Sequence, residues 1–456
     1  MTTSAIDTYM APDRRVHLIG IGGVSMAPLA EALLGAGLTV TGSDMNESLV
    51  TSRLRGLGVS VSIGHRAENL GQAECVIRTA AAREDNPEVV AARMRGIPIF
   101  ERAQGWGHIM RQYENAVCIS GTHGKTTTTS MTTHICLAAG VDPTVMIGGT
   151  LPKLQAGHRV GGGETIVLES CEYYDSFHNF SPTVAVVLNV EEDHLDYFKN
   201  LDGICTSFRT FASLVPENGC IVANGDDRNT MDALAPLGRP LMTFGLAEGN
   251  RVRAERITRQ KTQTEFDVTL DGAFYARIAL QLPGDHNVMN ALAAISVAIF
   301  LELSATAAVE GLADFTGAGR RFEYKGEVNG AKIYDDYAHH PSELKALLDA
   351  VEPLGYERVV VAFQPHTYTR TNAFFEAFAQ ELRRPDITLV AEIYAAREQN
   401  TLNVSAADLT AEIPGAVHYE TLPAMAEALR ELARPGDLIL TVGAGDIFKV
   451  GEDLLI

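Results

Sequence analysis

Short, near-continuous apolar runs recur along the chain, separated by longer stretches in which apolar residues return every third or fourth position. The runs predict strands buried on both faces and the periodic stretches predict amphipathic helices. Their alternation predicts parallel sheets built from βαβ units. Residues 16–23 (VHLIGIGG) lead into a helix expected to stop at Gly35 or Gly37, and then into a second strand, residues 38–44 (LTVTGSD). Residues 74–81 (ECVIRTAA), a turn at Pro87, a helix and residues 97–100 (IPIF) continue the alternation. A new unit begins near Tyr113, with strands expected at residues 116–119, 165–170 (TIVLES), 183–190 (TVAVVLNV) and 219–227 (GCIVANGDD), and a helix over 131–139. Residues 265–270 (EFDVTL) and 275–282 (YARIALQL) alternate in the manner of a two-stranded appendage, and a helix follows Asn290. Four further runs, at residues 331–338, 358–365, 387–393 and 437–443, complete a third α/β unit behind the linker 316–323 (TGAGRRFE).

Composition narrows the class. A chain of 456 residues is too long for one ordinary core, and 46% hydrophobic with 21% charged residues is the composition of a globular protein. A formal charge of −20 argues against a duplex nucleic-acid partner, which needs a clustered basic face. The six cysteines form no C-x-x-C pair and read as reduced thiols. The first residues carry no charged start followed by an apolar stretch, and no run approaches a membrane span, so the expectation is a cytoplasmic protein without membrane contact.

The chemistry gathers at expected strand ends. Residues 117–131 (VCISGTHGKTTTTSM) run from strand through a glycine turn toward a helix, as in a phosphate-binding loop. The spacing is two positions short of G-x-x-x-x-G-K-[ST], with Gly121 in place of a glycine at position 119. Gly121 and Gly124 still allow close backbone approach to an anion, with successive N–H groups turned into the loop. Lys125 supplies a full positive charge and Thr126 a hydroxyl for magnesium. Near the N-terminus, Gly20, Gly22 and Asp44 form a dinucleotide-type fingerprint in which Ser25 stands for the third glycine and Gly23 is extra. Such a turn suits a nicotinamide cofactor or the two phosphates of a uridine diphosphate. Glu169, Glu191, Asp193 and His194 follow apolar strands and are candidate ligands for a divalent ion. Asn287 and Asn290 lie one helical turn apart, with donors and acceptors suited to an adenine edge. Arg320, Arg321, Asp335, Asp336, Tyr337, His339 and His340 surround the last linker, and His366 and Arg370 offer a carboxylate clamp.

GTHGKTTTT, the Glu169 strand end, NVEEDHLDY, GDHNVMN, GRRFE and DDYAHHPSE occur in the order found in the Mur ligase family, which the chain resembles over nearly its whole length. The resemblance implies an α/β protein of three domains. These are an N-terminal Rossmann-like domain for the uridine nucleotide (residues 1–112), a central P-loop ATPase-like domain with a parallel sheet (113–318), and a C-terminal Rossmann-like domain for the amino acid (319–456). GIGGVSM and FQPHTYTRT resemble most the member that uses L-alanine, implying ATP-dependent joining of L-alanine to the carboxylate of UDP-N-acetylmuramate through an acyl phosphate. The same-family alternative adds a tripeptide to that nucleotide. A nicotinamide oxidoreductase would leave Lys125, Glu169 and His194 without a task, and a regulatory ATPase would not explain the third domain.

Carried over by motif, Gly121, Thr122, His123, Gly124, Lys125, Thr126 and Thr127 would bind ATP, with Mg2+ on Thr126, Glu169 and His194. Asn287 and Asn290 would meet the adenine, and Arg321 and Asp336 would also reach ATP. Lys125, Glu169, His194 and Arg321 would carry catalysis. Gly20, Gly22, Gly23, Ser25, Ser43, Asp44 and His65 would hold the uridine nucleotide, and Tyr337, His339, His366 and Arg370 the amino acid. The implied partners are these small molecules, and the chain would act as a monomer or homodimer. Two positions depart from the family pattern. Ser25 replaces a glycine and is expected to keep a hydroxyl near the diphosphate, and Thr367 stands where many members carry Arg, which shifts the grip on the amino-acid carboxylate to Arg370.

Overall fold

The computed structural model describes residues 4–456, so the first three residues, part of the N-terminal stretch read above, lie outside the described residues. The chain divides into two compact units. One comprises the residues up to Val190 with 202–243 and 293–307; the other comprises 191–201, 244–292 and 308–456.

The first unit contains two sheets. The N-terminal sheet is parallel throughout, in the order Ser60–Ile63, Thr39–Asp44, Arg15–Ile19, Cys75–Arg78, Ile99–Glu101. Successive strands are added on one side of Arg15–Ile19 and then on the other, and the crevice this creates outside the carboxyl ends is where such folds bind ligands. Six strands of the second sheet lie in this unit, in the order Cys220–Asn224, Val184–Val187, Asn115–Ser120, Thr165–Glu169, Thr144–Leu151, Ala156–Arg159, parallel except for the last pair. Its inner strands are apolar on both faces because helices cover both sides. Val117, Ile119, Val167, Leu168 and Val186 are all buried.

The second unit carries an antiparallel meander, Val252–Gln260, Gln263–Leu270 and Ala273–Leu280, one strand more than the expected pair. The additional strand, VRAERITRQ, is charged and exposed along its second half, which hides it from an apolar-run criterion. The C-terminal sheet has the order Glu323–Val328, Ala331–Asp336, Asp437–Val442, Arg358–Phe363, Ile387–Ala391, Val417–Tyr419, with only the first pair antiparallel. Phe363, Phe378 and Leu440 pack on one face, and Val360, Leu389, Met425 and Ile439 on the other.

Two helices begin earlier than their apolar periodicity suggests. The helix expected over 131–139 spans Lys125–Ala138, and the one expected after Asn290 spans Asp285–Phe300. Threonine is an indifferent helix former, yet the hydroxyls of Thr129, Ser130, Thr132 and Thr133 donate to carbonyls four residues back at 2.7–2.8 Å, which lets this segment be buried. No described helix is long and apolar enough to cross a membrane.

Candidate active site

At the carboxyl end of the N-terminal sheet, Gly20 N–H and Ile21 N–H donate to Ser43 O at 2.8 and 2.9 Å, and Gly22 N–H donates to Asp44 Oδ2 at 2.9 Å. Gly23 closes the turn through its N–H on Gly20 O at 3.1 Å. The glycine turn is therefore latched to the strand end that carries Ser43 and Asp44, and His65 Nδ1 lies 3.0 Å from Ser43 Oγ. Six of the seven residues assigned to the uridine nucleotide are joined in one bonded patch. Ser25 differs. Its hydroxyl donates to Met146 Sδ at 2.9 Å and accepts from Trp106 Nε1 at 3.2 Å, so it is directed into packing and away from the expected diphosphate contact.

The phosphate loop is set by the neighbouring strands. Gly121 has φ +142°, and a Cβ there would lie 2.8 Å from Leu188 Cβ, so only glycine fits the turn. The N–H groups of Thr122 and His123 do not point into the loop as the glycine pattern suggested. They donate to Asn189, at 3.1 Å to its carbonyl and 2.7 Å to Oδ1, while Asn189 Nδ2 donates back to His123 O at 3.2 Å. The donors left for an anion are the backbone groups that open the helix Lys125–Ala138 behind Gly124, where the helix dipole is positive. Lys125 Nζ donates to Gly121 O at 2.5 Å, Thr122 O at 3.1 Å and the Glu172 carboxylate at 3.0 and 3.2 Å. Burial works against its charge, but Glu172 more than compensates and raises the pKa, so the ammonium stays protonated. Among the described residues, the Thr126 hydroxyl has no protein partner, unlike the hydroxyls further along the helix.

Glu169 ends its strand beside Ile119, and its Oε2 accepts from Gly148 N–H at 2.7 Å. A Cβ at Gly148 would come within 2.5 Å of that carboxylate, so glycine there makes room for it. An available hydroxyl and a carboxylate at adjacent strand ends are a hard-oxygen donor set that fits Mg2+.

In the second unit, Arg370 forks onto Asp193, Nη2 to Oδ1 at 2.9 Å and Nε to Oδ1 at 3.2 Å, with both side chains buried. Burial alone would raise the Asp193 pKa, but Arg370 holds it well below the usual range. His194 has φ +51°, an uncommon backbone for histidine, and its Nε2 lies 3.7 Å from Asp193. His366 stacks on Tyr394 and approaches Arg370 Nη1 at 3.2 Å; burial and that cation pull its pKa down to about 4. His339 lies 5.9 Å from His366 between ring centres, bonds through Nδ1 to Tyr337 O at 3.0 Å, and is pulled down by burial to about 3. Tyr337, His339, His366 and Arg370 thus form one cluster with two neutral imidazoles. Thr367 accepts Arg370 N–H at 3.4 Å as the helix cap and donates its own N–H to Tyr394 O at 2.9 Å, so it supports Arg370 without adding charge.

Around the linker the arginines divide. Arg320 is spent on structure, bonding Asp335, Gly443 O and Gly445 O, whereas Arg321 lies over the Tyr337 ring at 5.0 Å and 3.6 Å from Glu343. Asp336 accepts from Phe322 N–H and Ala338 N–H, both at 2.8 Å, and burial raises its pKa to about 6. Asn287 and Asn290 are both buried, with Asn290 Nδ2 3.4 Å from Asn287 Oδ1 and Asn287 Nδ2 on Pro283 O at 2.7 Å. Sequence reasoning missed Glu172 and Asn189. Both follow strand ends; Asn189 also opens the motif NVEEDHLDY, where it was given no role, and Glu172 belongs to no motif.

Three family descriptions match in succession: "Mur ligase family, catalytic domain" over residues 15–114, "Mur ligase middle domain" over 119–298 and "Mur ligase, glutamate ligase domain" over 320–445. A UDP-N-acetylmuramate–L-alanine ligase of Caldanaerobacter subterraneus subsp. tengcongensis is 44% identical over 97% of each chain. The crystal structure of a UDP-N-acetylmuramate–alanine ligase from Thermotoga maritima superposes with a TM-score of 0.80 at 29% identity, covering 97% of this chain and 98% of that one. A murein peptide ligase from Psychrobacter arcticus shares the fold, with a TM-score of 0.70 at 24% identity over 97% and 98% of the two chains. Matched from end to end by relatives of this kind, and in three successive segments by the family's own domains, the chain belongs to the Mur ligase family.

Proposed function

We propose that the protein joins L-alanine to the carboxylate of UDP-N-acetylmuramate at the expense of ATP, a step of peptidoglycan precursor synthesis. The observation that carries this reading is end-to-end identity of 44% with a relative named for that reaction. In this reading residues 1–112, 113–318 and 319–456 serve the uridine nucleotide, ATP and the amino acid.

A carboxylate is a poor acylating agent until one oxygen becomes a phosphate leaving group. The muramyl carboxylate therefore attacks the γ-phosphorus of ATP, ADP departs, and the amine of L-alanine then displaces phosphate from the acyl phosphate. The protein's task is positioning and charge neutralisation. Lys125, held protonated, is suited to the β- and γ-phosphates, and the helix N-terminus behind Gly124 supplies backbone donors. Thr126 and Glu169 would hold one Mg2+ and His194 a second; the metal would supply charge neutralisation at the transferring phosphoryl group. Asn287, Asn290, Arg321 and Asp336 are assigned to ATP. For the amino acid, Arg370 carries the cation a carboxylate requires, its Nε–Nη2 edge held by Asp193; neutral His339, whose Nδ1 donates to Tyr337 O, keeps Nε2 as an acceptor for an amine, whereas neutral His366, whose Nδ1 accepts from Arg370 Nη1, keeps Nε2–H as a donor.

Phosphate release measured with ATP, UDP-N-acetylmuramate and a panel of L-alanine, glycine, L-serine and L-Ala-γ-D-Glu-meso-diaminopimelate tests the reading. L-alanine is expected to give the highest kcat/KM. A preference for the tripeptide would overturn the assignment in favour of a peptide-recycling ligase.

A further inference from the structure

Beneath the glycine turn lies a buried carboxylate to which the reaction assigns no part. Glu88 sits in the first turn of the helix Pro87–Met94, which Asn86 caps by accepting Glu88 N–H at 2.9 Å. Its side chain is fully buried. Oε1 accepts from Asn69 Nδ2 at 2.6 Å and from Arg66 N–H at 3.2 Å. Oε2 accepts from Ser43 Oγ at 2.6 Å, with His17 Nε2 at 3.4 Å and His65 Nδ1 at 3.5 Å. Burial alone would raise the pKa of such a group. The contacts from His17, Ser43 and Asn69 override it and hold the carboxyl down at about 2, so Glu88 is an anion that accepts and never donates.

With His65 neutral, the count of protons along this chain has one solution. Ser43 has a single hydroxyl proton, and a 2.6 Å contact with an anionic oxygen requires that proton to lie on the Glu88 side. The Ser43 oxygen then faces His65 Nδ1 at 3.0 Å with only lone pairs to offer, so Nδ1 must carry a proton. In the neutral ring the other nitrogen is left as an acceptor. Among the described residues, His65 Nε2 has no protein partner, and the side chain keeps 14% of its surface exposed at the strand ends.

We propose that Glu88 is a positioning residue for the nucleotide site. Through Ser43 it fixes His65 as the Nδ1–H tautomer, so that Nε2 presents a lone pair to an N–H or O–H donor of the substrate, the uracil imide or a ribose hydroxyl, and does not serve as a phosphate-binding donor. The proposal rests on the assignment of Ser43 and His65 to the uridine nucleotide. It adds the polarity with which His65 reads that nucleotide and the residue that sets it. The carboxylate is required because an amide in the same place can turn its NH2 toward Ser43. The Ser43 proton then passes to the His65 side and the tautomer reverses.

Ring-nitrogen NMR of 15N-histidine-labelled enzyme at pH 8.5, with Glu88→Gln and Ser43→Ala beside wild type, tests the relay directly. Wild-type His65 is expected as Nδ1–H and Glu88→Gln as Nε2–H. Glu88→Gln should also raise the KM for UDP-N-acetylmuramate at least about tenfold, leaving the KM values for ATP and L-alanine within about twofold. Titration with UDP, N3-methyl-UDP and 2′-deoxy-UDP distinguishes the two donors. The analogue lacking the donor that His65 reads should lose affinity in wild type and lose nothing further in Glu88→Gln. Wild-type His65 in the Nε2–H form, or an unchanged tautomer in Glu88→Gln, overturns the relay. If Glu88→Gln does not fold, Ser43→Ala decides the matter. Loss of the fixed Nδ1–H form together with weaker UDP binding supports the relay, and unchanged UDP binding overturns it. A wild type that binds NAD and not UDP overturns the site assignment instead, whatever the tautomer shows.

Discussion

Lys125→Ala removes an ammonium with a mechanistic and a structural role, and the two can be separated. For the mechanism, a unit charge about 4 Å from the transferring phosphoryl oxygens at an effective dielectric near 20 is worth about 4 kcal/mol. If most of that acts only as charge develops in the transition state, kcat falls about a thousandfold. For the structure, Lys125 bonds the Glu172 carboxylate at 3.0 Å where that side chain is almost fully buried, and it also bonds the carbonyls of Gly121 and Thr122. Removing one partner of a buried pair costs about 3–5 kcal/mol. The lower end, about 3 kcal/mol, applies here because backbone carbonyls contribute part of the cradle, and it lowers the melting temperature of the central domain by about 6–12 °C.

The double variant Lys125→Ala/Glu172→Gln isolates the two effects. Neutralising Glu172 removes the isolated buried charge, so most of the lost stability should return while turnover does not. Circular dichroism melts report the first quantity, and phosphate release under saturating ATP, UDP-N-acetylmuramate and L-alanine reports the second. Turnover above about a tenth of wild type in a natively folded Lys125→Ala would refute the assignment of this ammonium to the transferred phosphate. Recovery of turnover along with stability in the double variant would show that the first loss was only misfolding.

Arg370→Lys keeps the charge but loses the fork that now grips Asp193. It should raise the KM for L-alanine at least about tenfold, roughly 1.4 kcal/mol, with the KM for ATP within about twofold; unchanged alanine kinetics would remove Arg370 from the amino-acid site. His194→Ala should slow acyl-phosphate formation far more than it weakens ATP binding, and equal losses in both would make His194 a structural cap of the short helix that follows it. Asp336, raised by burial from 3.8 to about 6, stabilises the fold fully below pH 4 and loses that contribution as pH rises through about 6, because the unfolded chain gives up its proton first. The loss amounts to about 3 kcal/mol. Asp336→Asn should remove this slope from urea-unfolding midpoints measured between pH 4 and 7, and an unaltered slope would place its origin elsewhere.

The strands buried on both faces were legible because a parallel sheet covered by helices demands unbroken apolar runs, such as VAVV at Val184–Val187. Edge strands were read unevenly: Ile99–Glu101 and Ala273–Leu280 were expected, and the others were not. Ser60–Ile63 and Val417–Tyr419 are short and only partly buried, and Glu323–Val328, which starts at the last residue of the expected linker, was not read as a strand because none of its residues is buried. Helix starts were hidden for a related reason. The first turns of Lys125–Ala138 and Asp285–Phe300 carry the polar residues assigned to ATP, so local function displaces the apolar periodicity that marks a helix elsewhere.

Within the site, residues grouped by a local motif were legible, and residues grouped only by sheet register were not. Ile119 lies opposite Glu169 and Ser120 opposite Val187, and these pairings bring the chain after Glu169 and the chain after Val187 to the phosphate loop. Glu172 and Asn189 reach Lys125 and the loop backbone by that route, across sequence separations of 47 and 66 residues. The two departures from the family pattern follow the same logic. Ser25 looks like an awkward diphosphate contact while only its neighbours in sequence are considered, yet its hydroxyl is held by Met146 and Trp106, remote in the chain. Thr367 looks like a lost cation until its side chain is seen capping the helix that carries Arg370, with its N–H on Tyr394 O. Both side chains are engaged in packing or capping contacts that hold neighbouring residues of the candidate site.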